Sequence, residues 1–505
     1  MKQEEQPMEN RSIILIFTGL MLAMVSGALE QTIVATALPT IVGDLGGADR
    51  ILWVTTGYVL AATIVMPIYG KVGDLMGRKW VFVAALALFM VGSVVCGCAM
   101  NMAGLVVGRF VQGLGGGGLM VLSQAIVADV IPARKRALYL NLMGVAWALP
   151  MMVGPLLGGL FTDHLSWRLS FFVTIPLAAL ALAAAVAFLP KPKPGAGLGS
   201  FDVAGTVTAS AAVCALTLAT SLAGVDYAWD SPQVIGLFAA TVLFGALFVR
   251  AERRARVPIM PLELFRNRNF VLATVAGFVV LFAMMAALSY LPTYFQIAHG
   301  MSATAAGYME LPMNVAYFIA SLVIGVLIAK RGKYQAFMVA SFVVAGVSSA
   351  GLATLTADTS PAVAMAYLGV MGFGMGMSFE VLVLIVQNEF PAAIVGTATS
   401  ATNFFREIGT TLGASVAGAL FTGNLGNLMG ERLAPFGNAG ELGIDASTLT
   451  PALVNALPDE LHAAVASAYN DALMPVFALM VPLIMVGLVC MALLKRTPLR
   501  ETLEG

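Results

Sequence analysis

The stretch Arg109-Phe-Val-Gln112-Gly113-Leu-Gly115 places an arginine inside the apolar segment 102–128. A guanidinium group stays protonated in proteins, and its transfer into hydrocarbon is costly. A buried arginine therefore needs a polar partner, and an ionisable side chain within an apolar segment is usually functional.

Two glycine-containing segments flank the arginine. The first is Gly70-Lys-Val-Gly-Asp74-Leu-Met-Gly77-Arg78-Lys79, in which glycines permit a tight turn and close approach of helices. The second is Gly154-Pro155-Leu-Leu-Gly158-Gly159, in which the proline removes a backbone hydrogen bond and the glycines allow close packing. A buried arginine between a basic turn and a kinked helix indicates a secondary transporter.

The composition agrees with a membrane protein. The chain of 505 residues is 59% hydrophobic and 11% charged, with a mean hydropathy of +0.90, which excludes a soluble globular domain of this length. A membrane-crossing helix needs about 20 apolar residues. Fourteen runs meet this requirement: 12–37, 52–73, 80–99, 102–128, 138–161, 168–189, 203–222, 232–250, 270–295, 304–329, 334–356, 362–387, 397–424 and 473–494.

The distribution of Lys and Arg predicts the orientation of these spans. With fourteen crossings and a cytosolic N-terminus, 22 of the 27 Lys and Arg residues lie on the cytosolic side, three lie outside, and Arg109 and Arg406 lie within spans. Cytosolic loops of membrane proteins carry an excess of basic residues. The segregation predicts a multi-pass protein with both termini in the cytosol and a long polar external loop at 425–472.

The three motifs together resemble the signatures of the major facilitator superfamily, in its fourteen-span drug:proton antiporter branch. The resemblance implies an all-α membrane fold of two six-helix bundles plus two inserted helices. The bundles would be residues 1–190 and 270–505, the latter with the external loop, and residues 191–269 would hold the inserted pair. A weak internal repeat supports this division, because Gly70 to Arg78 matches Gly325 to Lys333, with Ala329 in place of Asp74.

The same resemblance implies roles for the motifs. The first would form a latch that closes the cytosolic side, with Asp74 at the N-terminus of a neighbouring helix or beside Arg78. The alternative is a basic membrane anchor with an incidental acid. The second would be the antiporter motif, and its alternative is plain glycine–proline packing. The latch residues are Gly70, Asp74, Gly77, Arg78 and Asp129; the antiporter-motif residues are Gly154, Pro155, Gly158 and Gly159.

Four charged residues within spans are candidates for proton coupling: Glu30, Arg109, Glu310 and Glu380. Glu30 lies in a segment that resembles the first-span signature of the drug exporters, where Asp is commoner. At about 1.5 Å of rise per residue its depth matches that of Arg109, so a contact between the two is expected. The alternatives are a structural role for Glu30, a solvated position for Glu310, and an ion pair between Glu380 and Arg406.

Carboxyl groups in a cavity of low dielectric can load and release a proton, and a cationic substrate can compete for the same group. Methionine and aromatic side chains near these acids suit varied apolar ligands. The predicted substrate-binding residues combine both kinds of group: Glu30, Gln31, Tyr58, Trp147, Met151, Met285, Tyr290, Glu310, Asn314, Glu380 and Phe404.

These features predict a proton-coupled antiporter that exports hydrophobic, often cationic drugs by alternating access. The alternative is a dedicated exporter of one amphipathic metabolite, antibiotic or lipid on the same fold. The expected partners are a small-molecule substrate, protons and the lipid bilayer, without nucleic acid, for a monomer in a bacterial inner membrane. No cofactor or metal is expected, because Cys96 and Cys98 have no accompanying acid or histidine. A polytopic enzyme is disfavoured, since no histidine falls within a predicted span.

Overall fold

The computed structural model describes residues 10–46, 51–190, 201–224, 226–357, 359–436 and 451–500. The regular structure in these ranges is helical, apart from two isolated β-bridges. The helices are α1 Asn10–Leu45, α2 Ile51–Met76, α3 Arg78–Gly97, α4 Met102–Val130, α5 Ala133–His164, α6 Leu169–Phe172, α7 Thr174–Phe188, α8 Val203–Leu222, α9 Pro232–Glu252, α10 Arg268–Leu288, α11 Leu291–Ala298, α12 Ala303–Tyr308, α13 Leu311–Arg331, α14 Gln335–Leu352, α15 Pro361–Glu389, α16 Val395–Leu433, α17 Pro451–Asn455 and α18 Asp459–Ala492.

The helices correspond to the predicted spans. Within the described residues, thirteen helical segments are long and apolar enough to cross a membrane. The predicted span 397–424 falls in α16, which has 39 residues and is polar, with a buried arginine and many threonines. Since α16 is long enough to cross a bilayer and packs beside α10 and α18, it completes an all-helical membrane fold.

Prolines break two of the predicted spans. The span 270–295 is divided into α10 and α11 just before Pro292, and the span 304–329 into α12 and α13 just before Pro312. Each proline occupies the first turn of the second helix, where its missing N–H costs nothing. The second break places Glu310 at the N-terminus of α13, with its main-chain oxygen accepting from Met313 and Asn314.

Two sets of helices pack around the middle of the molecule. The helices α1 to α7 contact one another and form what is called here the first set; α10 to α18 likewise form the second set. The helices α8 and α9 pair with each other, and α8 also contacts α2 and α16. The two sets meet where α5 packs against α13 and where α2 packs against α16.

Most of the basic residues lie at one end of the molecule. This end contains the turn between α2 and α3, the start of α5, the ends of α9 and α13, and the segment after α18, and it is called the basic end below. At the opposite end, the described parts of the polar region 425–472 are largely helical, and residues 437–450 lie outside the described part. The helix α16 continues to Leu433 and α18 begins at Asp459, so the last predicted span, 473–494, forms the second part of a longer helix.

Candidate functional site

Glu30 is fully buried in the first set of helices. One carboxylate oxygen, Oε2, accepts a hydrogen bond of 2.9 Å from the hydroxyl group of Thr174 on α7. The other, Oε1, lies 3.6 Å from Nη1 of Arg109 on α4 and has no hydrogen-bond partner among the described residues. The structure therefore brings Glu30 and Arg109 together as an ion pair in which Oε1 of Glu30 faces the guanidinium group but accepts no hydrogen bond within the described part of the chain.

Arg109 is held by groups other than Glu30. Its Nε donates to the main-chain oxygen of Val54 at 3.0 Å, and its Nη1 donates to Oε1 of Gln112 at 2.6 Å. The guanidinium carbon lies 4.4 Å from the centre of the Tyr58 ring, a cation–π contact. These contacts hold the guanidinium in an apolar environment independently of Glu30.

The latch residues lie together at the basic end. Asp74 accepts from the main-chain N–H of Thr397 at 2.6 Å, from its hydroxyl group at 2.7 Å, and from the N–H of Gly396 at 3.2 Å. These N–H groups belong to the first turn of α16, where the helix dipole favours an anion. The link joins the end of α2 in the first set to the start of α16 in the second.

Arg78 completes this network. Its Nη2 donates to Oδ1 of Asp74 at 2.7 Å, its Nη1 pairs with Asp129, and the main-chain oxygens of Ala125 and Ala392 also accept from it. Gly77, with φ +87°, forms the turn from which α3 begins, a backbone conformation that favours glycine. Four polar interactions thus fix one guanidinium between the two sets of helices.

The basic end is also closed by tight helix contacts. A Cβ atom at Gly70 would overlap Ser400 Oγ and lie 2.7 Å from the main-chain oxygen of Gly396, both on α16. On the other side, Ser321 of α13 donates to the main-chain and side-chain oxygens of Asn141 on α5, each at 3.1 Å. The two sets of helices therefore touch along α2–α16 and α5–α13 at this end.

The glycines of the second motif pack α5 against α1. A Cβ atom at Gly154 would overlap Oγ1 of Thr32, and one at Gly158 would overlap Oγ1 of Thr36. Gly159 has no atom within 4 Å of such a Cβ. The hydroxyl group of Thr32 also donates to the main-chain oxygen of Pro150 at 3.1 Å, so two threonines of α1 fit against two glycines of α5.

Glu380, on α15, lies in a different network that crosses between the sets. Its Oε2 accepts from Nε2 of Gln124 on α4 at 3.2 Å, and Gln124 Oε1 accepts from Nδ2 of Asn403 at 2.7 Å. Asn403 Oδ1 in turn accepts from Nη1 of Arg406 at 3.1 Å. The guanidinium carbon of Arg406 lies 3.8 Å from the centre of the Phe379 ring. Glu380 and Arg406 are thus connected through two amide side chains instead of by the direct ion pair considered above.

A small cavity lies between the sets near the middle of the helices. Its volume is about 40 Å³, room for a few water molecules. It includes three of the predicted substrate-binding residues, Trp147, Met151 and Asn314, but Met284 in place of Met285. The other lining residues are Ala148, Leu288, Met313, Tyr317, Gly372, Met375 and Phe379.

The remaining predicted substrate residues are not part of this lining. Tyr58 packs over Arg109, and Tyr290 stacks on Phe421 with ring centres 4.6 Å apart. Phe404 is buried against Phe405. Gln31 is partly exposed beside Glu30, and Glu310 is partly buried at the start of α13. The predicted set is therefore spread over several places in the molecule.

Sequence reasoning missed four polar residues that complete these networks. Gln112 and Thr174 hold Arg109 and Glu30, and Gln124 and Asn403 connect Glu380 to Arg406. Each is a polar side chain within an apolar helix, and all four are buried. Buried amides and hydroxyl groups require partners, and this requirement is the signal that points to them. No group of three or more potential metal ligands occurs in the described part of the chain.

Comparisons with known proteins place this fold. The family model of the Major Facilitator Superfamily matches residues 20–414. The multidrug transporter protein MdtP of Bacillus subtilis (strain 168) is 36% identical over 436 residues, which cover 86% of this chain and 80% of the relative. Multidrug resistance protein 3 of the same strain is 31% identical over 488 residues, 94% of each chain.

Two solved structures have the same overall fold. The human organic anion transporter MFSD10 superposes with a TM-score of 0.60 at 17% identity, over 95% of this chain and 100% of its own. The proton:xylose symporter XylE gives a TM-score of 0.62 at 14% identity, over 98% of each chain. At these identities the likeness concerns the fold alone.

Proposed function

Because the chain belongs to the Major Facilitator Superfamily, we propose that it is a proton-coupled antiporter that exports hydrophobic, often cationic compounds by alternating access. It is a multi-pass membrane protein of a transporter family rather than an enzyme. The names of MdtP and multidrug resistance protein 3 support drug export as the cargo class. The observation that carries the coupling is the buried Glu30 beside Arg109.

Glu30 is the proposed carrier of the coupling proton. Arg109 and the hydroxyl group of Thr174 stabilise its carboxylate, whereas burial away from water favours the neutral acid. A site with these opposing influences can change its protonation state when water gains access or when Arg109 moves. A cationic substrate that approaches the carboxylate would displace the proton, which is sufficient for antiport.

The proposed substrate region is the cavity between the sets, with Glu310 and Glu380 as further acids for coupling or cation binding. Drug-sized ligands occupy pockets of roughly 300 Å³ or more. The cavity of about 40 Å³ must therefore widen, which requires the two sets of helices to separate on one side. Flexible methionines in its wall, Met151, Met284, Met313 and Met375, suit ligands of different shape.

The proposed orientation places the basic end and both termini in the cytosol of a bacterial cell, with the protein in the inner membrane as a monomer. The proposed units are the bundles 1–190 and 270–505 with residues 191–269 between them. In this orientation the latch of Asp74 and Arg78 closes the cytosolic side, so the structure corresponds to a state in which substrate cannot enter from the cytosol.

The test uses purified protein and inverted membrane vesicles. Vesicles containing the protein should accumulate lipophilic cations such as tetraphenylphosphonium when their interior is acidified, and lose this uptake when the gradient is collapsed. Binding of the cation to purified protein should release protons, and Glu30→Gln should abolish that release.

Two results would contradict the proposal. Proton release and gradient-driven transport that persist in Glu30→Gln would move the coupling site to Glu310 or Glu380, which are compared as Glu310→Gln and Glu380→Gln. Uptake of a single amphipathic compound from a broad panel would favour the dedicated exporter instead.

A further inference from the structure

The carboxylate of Glu380 belongs to the second set of helices, yet the side chain that donates to it belongs to the first. Gln124 on α4 places its Nε2 3.2 Å from Glu380 Oε2. Its Oε1 accepts from Asn403 on α16, so both ends of the Gln124 side chain are bound by the second set. By contrast, the partners of Glu30 lie on α4 and α7, within its own set.

The direction of the hydrogen bonds in this chain is set by Arg406. A guanidinium group only donates, so Asn403 must present its oxygen to Arg406 and its amide N–H groups to Gln124. Gln124 must then accept through Oε1 and donate through Nε2, which faces Glu380. Arg406 does not hydrogen-bond to Glu380, but its charge thus fixes the orientation in which the Gln124 amide group donates to Glu380.

Few other groups act on Glu380. Tyr317 on α13 lies close by, because a Cβ atom at Gly144 would be 3.3 Å from both the Tyr317 hydroxyl group and Glu380 Cγ. The helix α5 presents Gly144 itself at this point. The helix α14 contains no titratable residue, and α10 has only Arg268, at its first position at the basic end. On α16, the partly buried acid Glu407 lies next to Arg406 and interacts with it. The charged and titratable groups near Glu380 are therefore Arg406, Tyr317 and, through Arg406, Glu407.

We propose that Glu380 is a second proton site, linked to the closure of the basic end, and that Gln124 is the positioning residue that makes this link. With the sets closed, Glu380 is fully buried, and its Oε1 has no hydrogen-bond partner among the described residues. Burial with one unsatisfied oxygen penalises the carboxylate more than the neutral acid. Separation of the sets withdraws Gln124 and admits water, which favours the carboxylate.

The sign of the pH dependence follows. The closed form binds the proton more readily than the open form, so acid favours closure and alkali favours opening of the basic end. Gln124 reduces the difference in proton affinity between the closed and open forms, because its hydrogen bond to an ionised carboxylate is stronger than one to a neutral acid. Loss of Gln124 should therefore weaken closure more at high pH than at low pH.

The inference rests on the proposed alternating access, but its test needs neither substrate nor gradient. Spin labels at the exposed positions Lys135 on α5 and Lys333 after α13 report the separation of the sets at the basic end. The labels are placed in a cysteine-free protein carrying Glu30→Gln, which removes the contribution of Glu30. Distances are measured by electron–electron double resonance from pH 5 to pH 9 in lipid nanodiscs.

The expected results distinguish a proton site that is linked to closure from a residue that has only a structural role. The closed-to-open ratio should fall by at least about tenfold as the pH is raised. Glu380→Gln should remove this dependence and stay closed, since its neutral amide still accepts from Gln124. Gln124→Met should make the dependence steeper, because closure is lost mainly at high pH.

A matched control is available in Gln387, which also bridges the sets. Its Nε2 donates to the main-chain oxygen of Gln124 at 3.0 Å, a neutral hydrogen bond across the same interface. Gln387→Met should weaken closure equally at every pH. Unchanged pH dependence in Glu380→Gln would overturn the proton site, and a pH-independent effect of Gln124→Met would overturn the positioning role. If closure shows the expected pH dependence but the protein does not couple transport to a proton gradient, the proposed function alone is refuted and the link between Glu380 and closure stands.

Discussion

Glu30 and Glu380 are both fully buried acids, but their partners differ in a way that separates their behaviour. The contacts of Glu30 with Arg109 and Thr174 lie within one set of helices, so we expect them to persist if the sets move apart. The contact of Glu380 with Gln124 spans the two sets, so we expect it to be lost. We therefore propose that Glu30 responds to the access of water or substrate, whereas Glu380 responds to the closure of the molecule.

At Glu30, the charge matters more than the length of the side chain. Glu30→Asp keeps a carboxylate that Arg109 can stabilise, so gradient-driven export should remain within about threefold of the original, a change of less than about 1 kcal/mol. Glu30→Gln cannot bind and release a proton and should not couple transport to the gradient. Counterflow exchange of a neutral substrate, measured without a gradient, serves as the control and should survive in both variants.

The contact of Glu30 with Arg109 could be predicted from the sequence, because helical rise places the two residues at the same depth. The link from Glu380 to Arg406 through Gln124 and Asn403 could not. Two amides on different helices have no spacing relationship in the chain, and only the packing of α4 against α16 brings them together. The sequence likewise could not tell which aromatic residues line the central cavity, and Tyr290 and Phe404 lie outside its lining, since aromatic side chains occur in core and cavity alike.

At the scale of elements, the N-terminus of α16 is the point where the two sets are tied. Asp74 accepts from two of its main-chain N–H groups and from Thr397 Oγ1, so a charge at the end of α2 compensates the unpaired donors of α16. This helix is also the most polar of the long ones. Its many threonines and its buried Arg406 leave it less apolar than its neighbours, although it packs among them.

Asp74→Asn should weaken this tie. The amide offers one acceptor without charge and places an NH₂ group towards main-chain donors, so about 1.5–3 kcal/mol of the interaction is lost. Transport should slow by about tenfold or more at normal expression, measured as initial rates in vesicles. Asp44→Asn is the matched control at the opposite end, where an exposed ion pair with Arg168 contributes little, and its rate should stay within about twofold.

The glycines of α5 allow a second test at this scale. Gly154→Ala and Gly158→Ala force a methyl group against Thr32 and Thr36, which should cost about 1–3 kcal/mol and lower both thermal stability and transport. Gly159→Ala adds the same methyl group in open space and should behave as the original protein. Recovery of Gly154→Ala by Thr32→Ala would identify close packing as the cause, whereas equal effects at all three glycines would point to helix flexibility instead.

At the scale of the whole molecule, closure at the basic end and the small central cavity describe one state of a transport cycle. The two sets are joined there through Asp74, Arg78 and the pair Asn141–Ser321. On the proposed function, a ligand of drug size needs the cavity to widen, so we expect a second state in which these contacts are broken. The sequence predicted the helices that form this interface, since hydropathy fixes long apolar spans, but the state of the interface depends on contacts between distant segments.

The proposed topology makes the last prediction. The 22 basic residues placed on one side by the sequence, and the basic end formed by the helices, require residues 197 and 258 to lie in the cytosol and residues 227 and 440 outside. Tyr227 is exposed in the turn between α8 and α9, and Pro258 lies between α9 and α10 at the basic end, so in the proposed topology the inserted pair crosses the membrane twice. Single cysteines at the four positions, in a cysteine-free protein, should divide accordingly when intact cells are treated with a membrane-impermeant maleimide. Only positions 227 and 440 should be labelled before the cells are opened, and all four afterwards. Labelling of position 197 in intact cells would show that the inserted helices do not cross as a pair and would remove the assignment of the basic end to the cytosol.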